Sequence, residues 1–389
     1  MRSTRKAWRR SRLTTAAVAT AMALVVTACG GGDDTDSGDG GSASGDGDLT
    51  PVKLQLQWVA QAQFAGYYAA VDQGYYEEEG LDVEIVEGGP DIVPQDVLAA
   101  GDVDYAISWV PKVLGSIEQG AGITDVAQIF ERSATTQISF KDKNITSPED
   151  LAGKNVGSWG FGNEWELFAG MQKAGVTLKD IKLVQQAFDM NAFLAGDIDA
   201  AQAMTYNEYA QVLESVNPDT GELYQPEDLN VIDWNDVGTA MLQDAIWAST
   251  ERLEDDEYAE QTVAFIKASI KGWIYARDNA QEAADIVTAA GSQLGTSHQL
   301  WMTNEVNKLI WPSGDRVGVI DQAAWDQTVD IAMNTENETG ATIISKEPPE
   351  TAFSNEYVEK ALAELEEEGV DVTGSDWEPI EVTLNEGGN

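Results

Sequence analysis

Cysteine and histidine are almost missing from this chain, whose 389 residues include one of each. A lone cysteine excludes an intrachain disulfide, and with a lone histidine it leaves no ligand set for a zinc or iron site. Serine-type nucleophilic catalysis would have to recruit His298, beside which no nucleophile-elbow motif stands. A surface or helix-capping role is expected for that histidine. Positive charge is scarce as well. Against 67 Asp and Glu the chain sets 23 Lys and Arg, a formal charge of −44, and such a surface repels phosphate backbones. Nucleic acid is therefore excluded as a partner. With so many acids, paired carboxylates arise by number alone and single out no acid–base site. The acidity itself reads as surface solvation, an adaptation to salt or solubility.

What basic charge there is gathers at the start. Arg2, Arg5, Lys6, Arg9, Arg10 and Arg12 precede a short apolar run at 14–28, and Val26-Thr27-Ala28-Cys29 follows. The run is too short to span a bilayer stably, so residues 1–28 read as an export signal. Small residues before a cysteine resemble a lipobox, and Cys29 is expected to be acylated, holding the chain at the outer face of the cell membrane. Arg9-Arg10 leaves Sec and twin-arginine export both open. Residues 29–51, nearly all Gly, Ser and Asp, cannot bury apolar surface and are expected to form a flexible tether.

The chain is 43% hydrophobic overall, and beyond the tether it is long enough for two domains. Apolar strand patterns at Val52–Trp58, Leu81–Val86, Val103–Trp109, Val126–Phe130, Val156–Trp159, Ile181–Gln186 and Ala200–Met204 alternate with helix-like segments. Alternation of this kind predicts α/β layers with mostly parallel sheets, whose ligands sit beyond the carboxyl ends of the strands. Leu98–Ile107 (LAAGDVDYAI) and Leu194–Met204 (LAGDIDAAQAM) repeat one pattern of helix end, Gly-Asp turn and strand about 95 residues apart, which predicts two related lobes. Ala245–Thr250 (AIWAST) reads as a strand returning to the first lobe. Helices at Glu251–Asp278, Asn279–Gly291 and Glu356–Glu368 follow it, their aromatics spaced as core. The expected division is 52–147 for the first part of lobe 1, 148–245 for lobe 2, 246–375 for the return to lobe 1 and 376–389 for a C-terminal tail.

Leu151–Gly170 (LAGKNVGSWGFGNEWELFAG) adds a second turn signal. Gly160 and Gly162 open a loop after a strand, and Asn163 is placed to cap a helix whose first turn holds Glu164 and Glu166. GFGN is too loose for a dinucleotide fingerprint, and an acidic first turn repels phosphate, so the loop is expected to meet an uncharged group.

The run VKLQLQWVAQAQFAGYYAAVDQGYYEEEGLDVEIVEGG resembles the first segment of the solute-binding proteins related to thiamine pyrimidine synthase. The likeness continues through AAGDVDYAIS, DLAGKNVGSW and AGDIDAAQAMTYNE, over roughly residues 52–250. It implies a type-II periplasmic-binding-protein fold, two α/β lobes joined by two crossing strands, in a membrane-tethered receptor of an ABC importer. The implied ligands are a thiamine pyrimidine precursor, such as formylaminopyrimidine or hydroxymethylpyrimidine, or riboflavin. The implied partners are a permease and its ATPase, with the receptor itself a monomer and no cofactor or metal. A pyrimidine synthase is the alternative. That branch carries a lysine for pyridoxal phosphate and a histidine consumed as substrate just after the first Gly-Asp turn, where this chain has Ser108 and Lys112. A histidine shared by both branches near the tryptophan is replaced here by Phe64.

In such a receptor Gln57, Trp58, Gln61, Gln63, Tyr67 and Trp109 are expected along one wall of the cleft. Trp159, Phe161, Asn163, Glu164 and Trp165 are expected on the facing wall, with Asp189, Asn191, Tyr206, Asn207 and Glu208 nearby. Amides and flat rings suit a planar heterocycle, stacked between aromatic faces and read at its edge by amides and a carboxylate. Aliphatic sulfonates or nitrate, ligands of neighbouring families, suit an acidic, Lys-poor cleft badly.

Overall fold

A computed structural model describes residues 49–389. The expected export signal, Cys29 and nearly all of the tether lie outside the described residues. Among the described residues no helix is long and apolar enough to cross a membrane.

The strands are β1 (Thr50–Gln55), β2 (Leu81–Val86), β3 (Tyr105–Trp109), β4 (Ile123–Gln128), β5 (Thr135–Phe140), β6 (Asn155–Ser158), β7 (Lys182–Gln185), β8 (Ala201–Met204), β9 (Leu229–Asp233) and β10 (Asp244–Ser249). The helices are α1 (Ala65–Asp72), α2 (Tyr75–Glu78), α3 (Pro94–Ala99), α4 (Val110–Glu118), α5 (Trp165–Lys173), α6 (Asn191–Leu194), α7 (Glu208–Leu213), α8 (Trp234–Val237), α9 (Asp256–Asp278), α10 (Ala280–Ala289), α11 (Thr296–Ile310), α12 (Gln322–Asn334) and α13 (Glu356–Glu367).

One sheet has the order β2-β1-β3-β10-β4. Helices between β1, β2 and β3 return the chain to the same end of the sheet, so β1 pairs parallel with both neighbours, whereas β10 arrives from elsewhere and runs antiparallel to β3 and β4. In the second sheet β5 pairs antiparallel with β8 and β9, and β6 pairs parallel with β7. A parallel bridge between Val156 and Ala200 joins the two groups into one surface.

This pairing moves the first crossing. Strand β5 lies in the second sheet, so the chain passes between sheets at 129–134 rather than at the expected 147/148 boundary. Its sequence, TTQISF, hides that role, because Thr135, Thr136 and Gln137 are all buried. Their polarity is absorbed locally: the Gln137 amide donates to the carbonyls of Gly157 and Ala200, and the Thr136 hydroxyl to that of Ala203. Strand β9 was equally unmarked. The return crossing, 234–243, runs beside the first without forming a ladder. The N–H groups of Ile129 and Phe130 both donate to the Asp244 carbonyl, and that of Ala134 to the Gln243 side chain.

The first sheet is covered on both faces, following the two-residue alternation of its strands. Tyr105 and Ile107 face one cluster with Phe265, Ile266 and Trp273 of α9, while Ala106 and Trp247 face another with Val113 and Leu114 of α4 and Trp325 of α12. Helices α1 and α9 cross at two glycines. A Cβ on Gly272 would collide with the Gly66 carbonyl, and one on Gly66 with the Trp273 ring. The second sheet is covered likewise, by Leu167, Phe168 and Trp234 on one face and Phe193, Val212 and Leu213 on the other. Residues 376–389 lie along α11, where the Ile380 N–H donates to Asn304 at 2.9 Å and that of Asn385 to Ser297 at 3.3 Å.

Candidate functional site

Both sheets point the carboxyl ends of strands at one cavity of about 790 Å³. That is within the range of roughly 300–1,000 Å³ usual for small-molecule pockets. The chain leaving β1 supplies Gln57, Trp58, Gln61 and Gln63, and the end of β3 supplies Trp109. From the other side, the loop after β6 supplies Trp159, Phe161, Asn163 and Trp165, and the end of β8 supplies Tyr206, Asn207 and Glu208. Twelve of the sixteen residues expected at the cleft therefore line a shared space.

Four do not. Tyr67 is buried in the core behind that wall, its ring edge-on to Trp273 at 5.5 Å, because α1 turns it toward α9. Asp189 accepts from the Asn191 N–H at 2.9 Å in an exposed turn that starts α6, which uses both residues locally. Glu164 is buried but accepts from the Gly162 N–H at 2.9 Å, so it supports the loop rather than lining the cavity. Asn163 lines the cavity without capping α5: its side-chain N–H donates to the Gly160 carbonyl at 2.7 Å. The loop needs that brace because Gly160, Phe161 and Gly162 have φ of 64, 54 and 87° in succession. Only Phe161 bears a Cβ cost there, and its ring stands 84% exposed at the rim.

Sequence reasoning missed a third aromatic between the two tryptophans. The ring of Phe188 lies 4.9 Å from that of Trp58, tilted by 57°, and 6.2 Å from that of Trp159, at 21°. Its alternation in a short connecting segment carries no binding signal. The indole N–H of Trp159 is buried and unpartnered, a donor left for something else.

It missed two charged residues too, Asp244 and Lys112, and the charge state of an expected one, Glu208. Asp244, first residue of β10, is 1% exposed and lies behind the cleft wall. Gln57 donates to its Oδ1 at 2.5 Å and the Trp109 indole to the same oxygen at 2.7 Å, while Gln63 donates to Oδ2 at 2.9 Å. Burial still raises its pKa to about 7 against those donors and the nearby Lys112. Lys112 itself lines the cavity from the first turn of α4, its ammonium 4.5 Å over the Trp109 ring. Burial pushes it down to about 8, opposed by the carboxylates of Asp244 and Glu164. Glu208 is lifted to about 7, again by burial, although the Met204 N–H and the Asn207 amide donate to it. The cleft is thus acidic, as expected, but carries an amine, Lys112, that the sequence did not place there.

His298 is neither at the surface nor a cap. It is 1% exposed, with Nδ1 2.8 Å from Glu214 Oε1 and Nε2 3.1 Å from Asn207 Oδ1. Helix α11 packs against the end of α7 and turns the imidazole inward, joining the return half of the chain to the second sheet.

A family profile described as NMT1/THI5-like matches residues 61–283. Among curated relatives, the formylaminopyrimidine-binding protein of Halalkalibacterium halodurans is 27% identical over 241 residues, 61% of this chain and 70% of that one. The riboflavin-binding protein RibY of Chloroflexus aurantiacus is 25% identical over 247 residues, 61% and 66% of the two chains. A shorter match, 24% over 159 residues and 40% and 46% of the chains, is to the 4-amino-5-hydroxymethyl-2-methylpyrimidine phosphate synthase of Aspergillus parasiticus. Among solved structures, the periplasmic aliphatic sulphonate binding protein SsuA of Escherichia coli matches with a TM-score of 0.56 at 14% identity, over 72% of this chain and 90% of its own. That likeness is one of fold, the periplasmic-binding-protein fold.

Proposed function

The chain belongs to the NMT1/THI5-like family, and on that premise we propose that it is the extracytoplasmic solute-binding component of an ABC importer for a planar heteroaromatic vitamin or vitamin precursor. Relatives named for formylaminopyrimidine and for riboflavin support the ligand class. The observation that carries it is the cleft itself: Trp58 from one sheet and Trp159 from the other border one cavity, with a glutamine-rich wall and a buried carboxylate at the edge. Flat faces take the ring by stacking, each good pair adding on the order of 1 kcal/mol beyond burial. Glu208 offers its remaining lone pairs to an amino or ring N–H.

The two sheet-bearing halves act as jaws about the crossings 129–134 and 234–243. Ligand shifts the population toward the closed form, which the permease recognises, and needs a few kcal/mol of preference for that form. Acylation at Cys29 keeps the receptor at the membrane, and it works as a monomer without chemistry.

Synthase chemistry is the second reading, favoured by one observation, the amine of Lys112 inside the cavity. The site fits pyridoxal phosphate poorly. Ser108 stands at the position implied for the cofactor's lysine and donates to Gln95 at 3.1 Å, and buried carboxylates at Asp244 and Glu208 oppose a phosphate. Titration of tryptophan fluorescence with riboflavin and with aminopyrimidines separates the readings. Saturable quenching at micromolar concentration by either supports the receptor. No quenching by both, with a new visible absorbance band on adding pyridoxal phosphate, would favour the synthase.

A further inference from the structure

A carboxylate accepts hydrogen bonds and donates none, so it dictates which end of a neighbouring amide faces it. Asp244 dictates two at once. Gln57 and Gln63 must both turn their NH₂ groups toward it, at 2.5 and 2.9 Å, and the Trp109 indole, which can only donate, fills the remaining approach to Oδ1 at 2.7 Å. The orientation then passes on. With its NH₂ committed to Asp244, Gln63 has its oxygen free to accept, and Gln61 donates to that oxygen at 2.7 Å. Gln61 and Gln57 each turn their NH₂ ends inward, which leaves their carbonyl oxygens as the free acceptors, and both side chains line the cavity.

We propose that Asp244 sets the hydrogen-bond polarity of this wall through Gln57 and the Gln63–Gln61 relay, so that the cleft presents carbonyl oxygens and selects ligands with N–H donors along that edge. The selection rests on the heteroaromatic reading above; the relay does not. Exocyclic amines and ring N–H groups match such a wall. Ring nitrogens and ethers, which only accept, leave its oxygens unpaired in a desolvated site and are rejected, as sites built around a hydrogen bond reject analogues lacking it.

The arrangement also makes the polarity titratable. Oδ1 already takes two donors, so a proton on Asp244 sits on Oδ2, facing Gln63. Gln63 then turns its oxygen to that proton, and Gln61 turns with it, showing NH₂ to the cavity. Burial, which raises Asp244 to about 7, brings this reversal close to neutrality. The charged or titratable groups facing Asp244 are Lys112 from α4, Tyr67 from α1 and Tyr206 beyond β8.

Two arms test the proposal on the full chain. In ¹⁵N-labelled protein without ligand, the Trp109 indole and the side-chain amides of Gln57, Gln61 and Gln63 should titrate together near neutral pH, and the titration should vanish in Asp244→Asn. A Gln61 amide that stays still while the indole moves overturns the relay. Gln63→Met cuts the relay and leaves Asp244 bonded to Gln57 and Trp109, so it uncouples Gln61 alone and serves if Asp244→Asn does not fold. In the second arm, fluorescence quenching by 4-amino-2-methylpyrimidine is compared with that by its 4-methoxy analogue. The native protein should prefer the amine by about tenfold or more, and Asp244→Asn by less than about threefold. Equal affinities in the native protein overturn the selection. If neither pyrimidine binds, the ligand class fails, and the amide resonances alone decide the wall.

Discussion

Phe188 holds its ring 4.9 Å from the indole of Trp58 across the cleft, at an interplanar angle of 57°. The same ring reaches Trp159 from the other side at 6.2 Å, so a phenyl group half fills the slot that a planar ligand needs. Ligand entry therefore has to displace it. Phe188→Ala is expected to raise the association rate severalfold, measured by stopped-flow tryptophan quenching. An unchanged or slower rate would show that the phenyl group is no barrier.

Burial lifts Asp244, Glu208 and Glu166 to about 7. Each binds its proton more tightly folded than unfolded, where carboxylates titrate near 4. Their contribution to stability is therefore complete below about pH 4 and is lost as pH rises through about 7. Glu166 isolates the effect, because it lies outside the cavity and accepts from the Met241 N–H at 2.6 Å. Glu166→Gln keeps an oxygen for that bond and has no proton to lose. At about pH 8 it should exceed the native protein in urea-unfolding stability, by on the order of 3 kcal/mol at most, and the difference should shrink toward pH 5. A variant no more stable than native at the higher pH contradicts this.

The imidazole of His298 ties α11 to Glu214 and Asn207. Removing it leaves the Glu214 carboxylate buried without its partner, a loss of about 3–5 kcal/mol. His298→Ala should lower the unfolding free energy by that order, and His298→Gln, which keeps a donor, should recover part of it. Asn207 also donates to Glu208 at 2.9 Å, so ligand affinity should fall in the alanine variant. Chemical denaturation and quenching titration measure the two effects.

Tyr67 supplies a check on the corrected wall. It packs on Trp273 at 5.5 Å and does not border the cavity. Tyr67→Phe should leave ligand affinity within about twofold, whereas Trp58→Ala should weaken it by about tenfold or more, through lost burial as well as stacking. Equal effects in the two variants would place Tyr67 at the ligand after all.

Much of the fold was legible because its signals are local. The Gly-Asp turns at Gly101 and Gly196 have φ of 78 and 80°, the left-handed conformation that ends a helix before a strand. Trp58, Trp109 and Trp159 were marked by their place at strand ends, and all three line the cavity. Strand β5 escaped because the signal sought was apolar, while its buried Thr and Gln side chains are satisfied by carbonyls distant in sequence. Asn163 and Tyr67 were assigned by position along an element. Helix orientation and loop bracing then turned them to other partners.

By itself the sequence determined most of the strand–helix alternation and the gathering of amides and rings at strand ends, since backbone periodicity and turn chemistry act over a few residues. Only the tertiary structure decided that Asp244, one of 67 acids, governs three side chains of the cleft. Gln57 lies 187 positions from it along the chain. A side chain's hydrogen-bond polarity and charge state depend on what burial brings against it, and no local pattern encodes that.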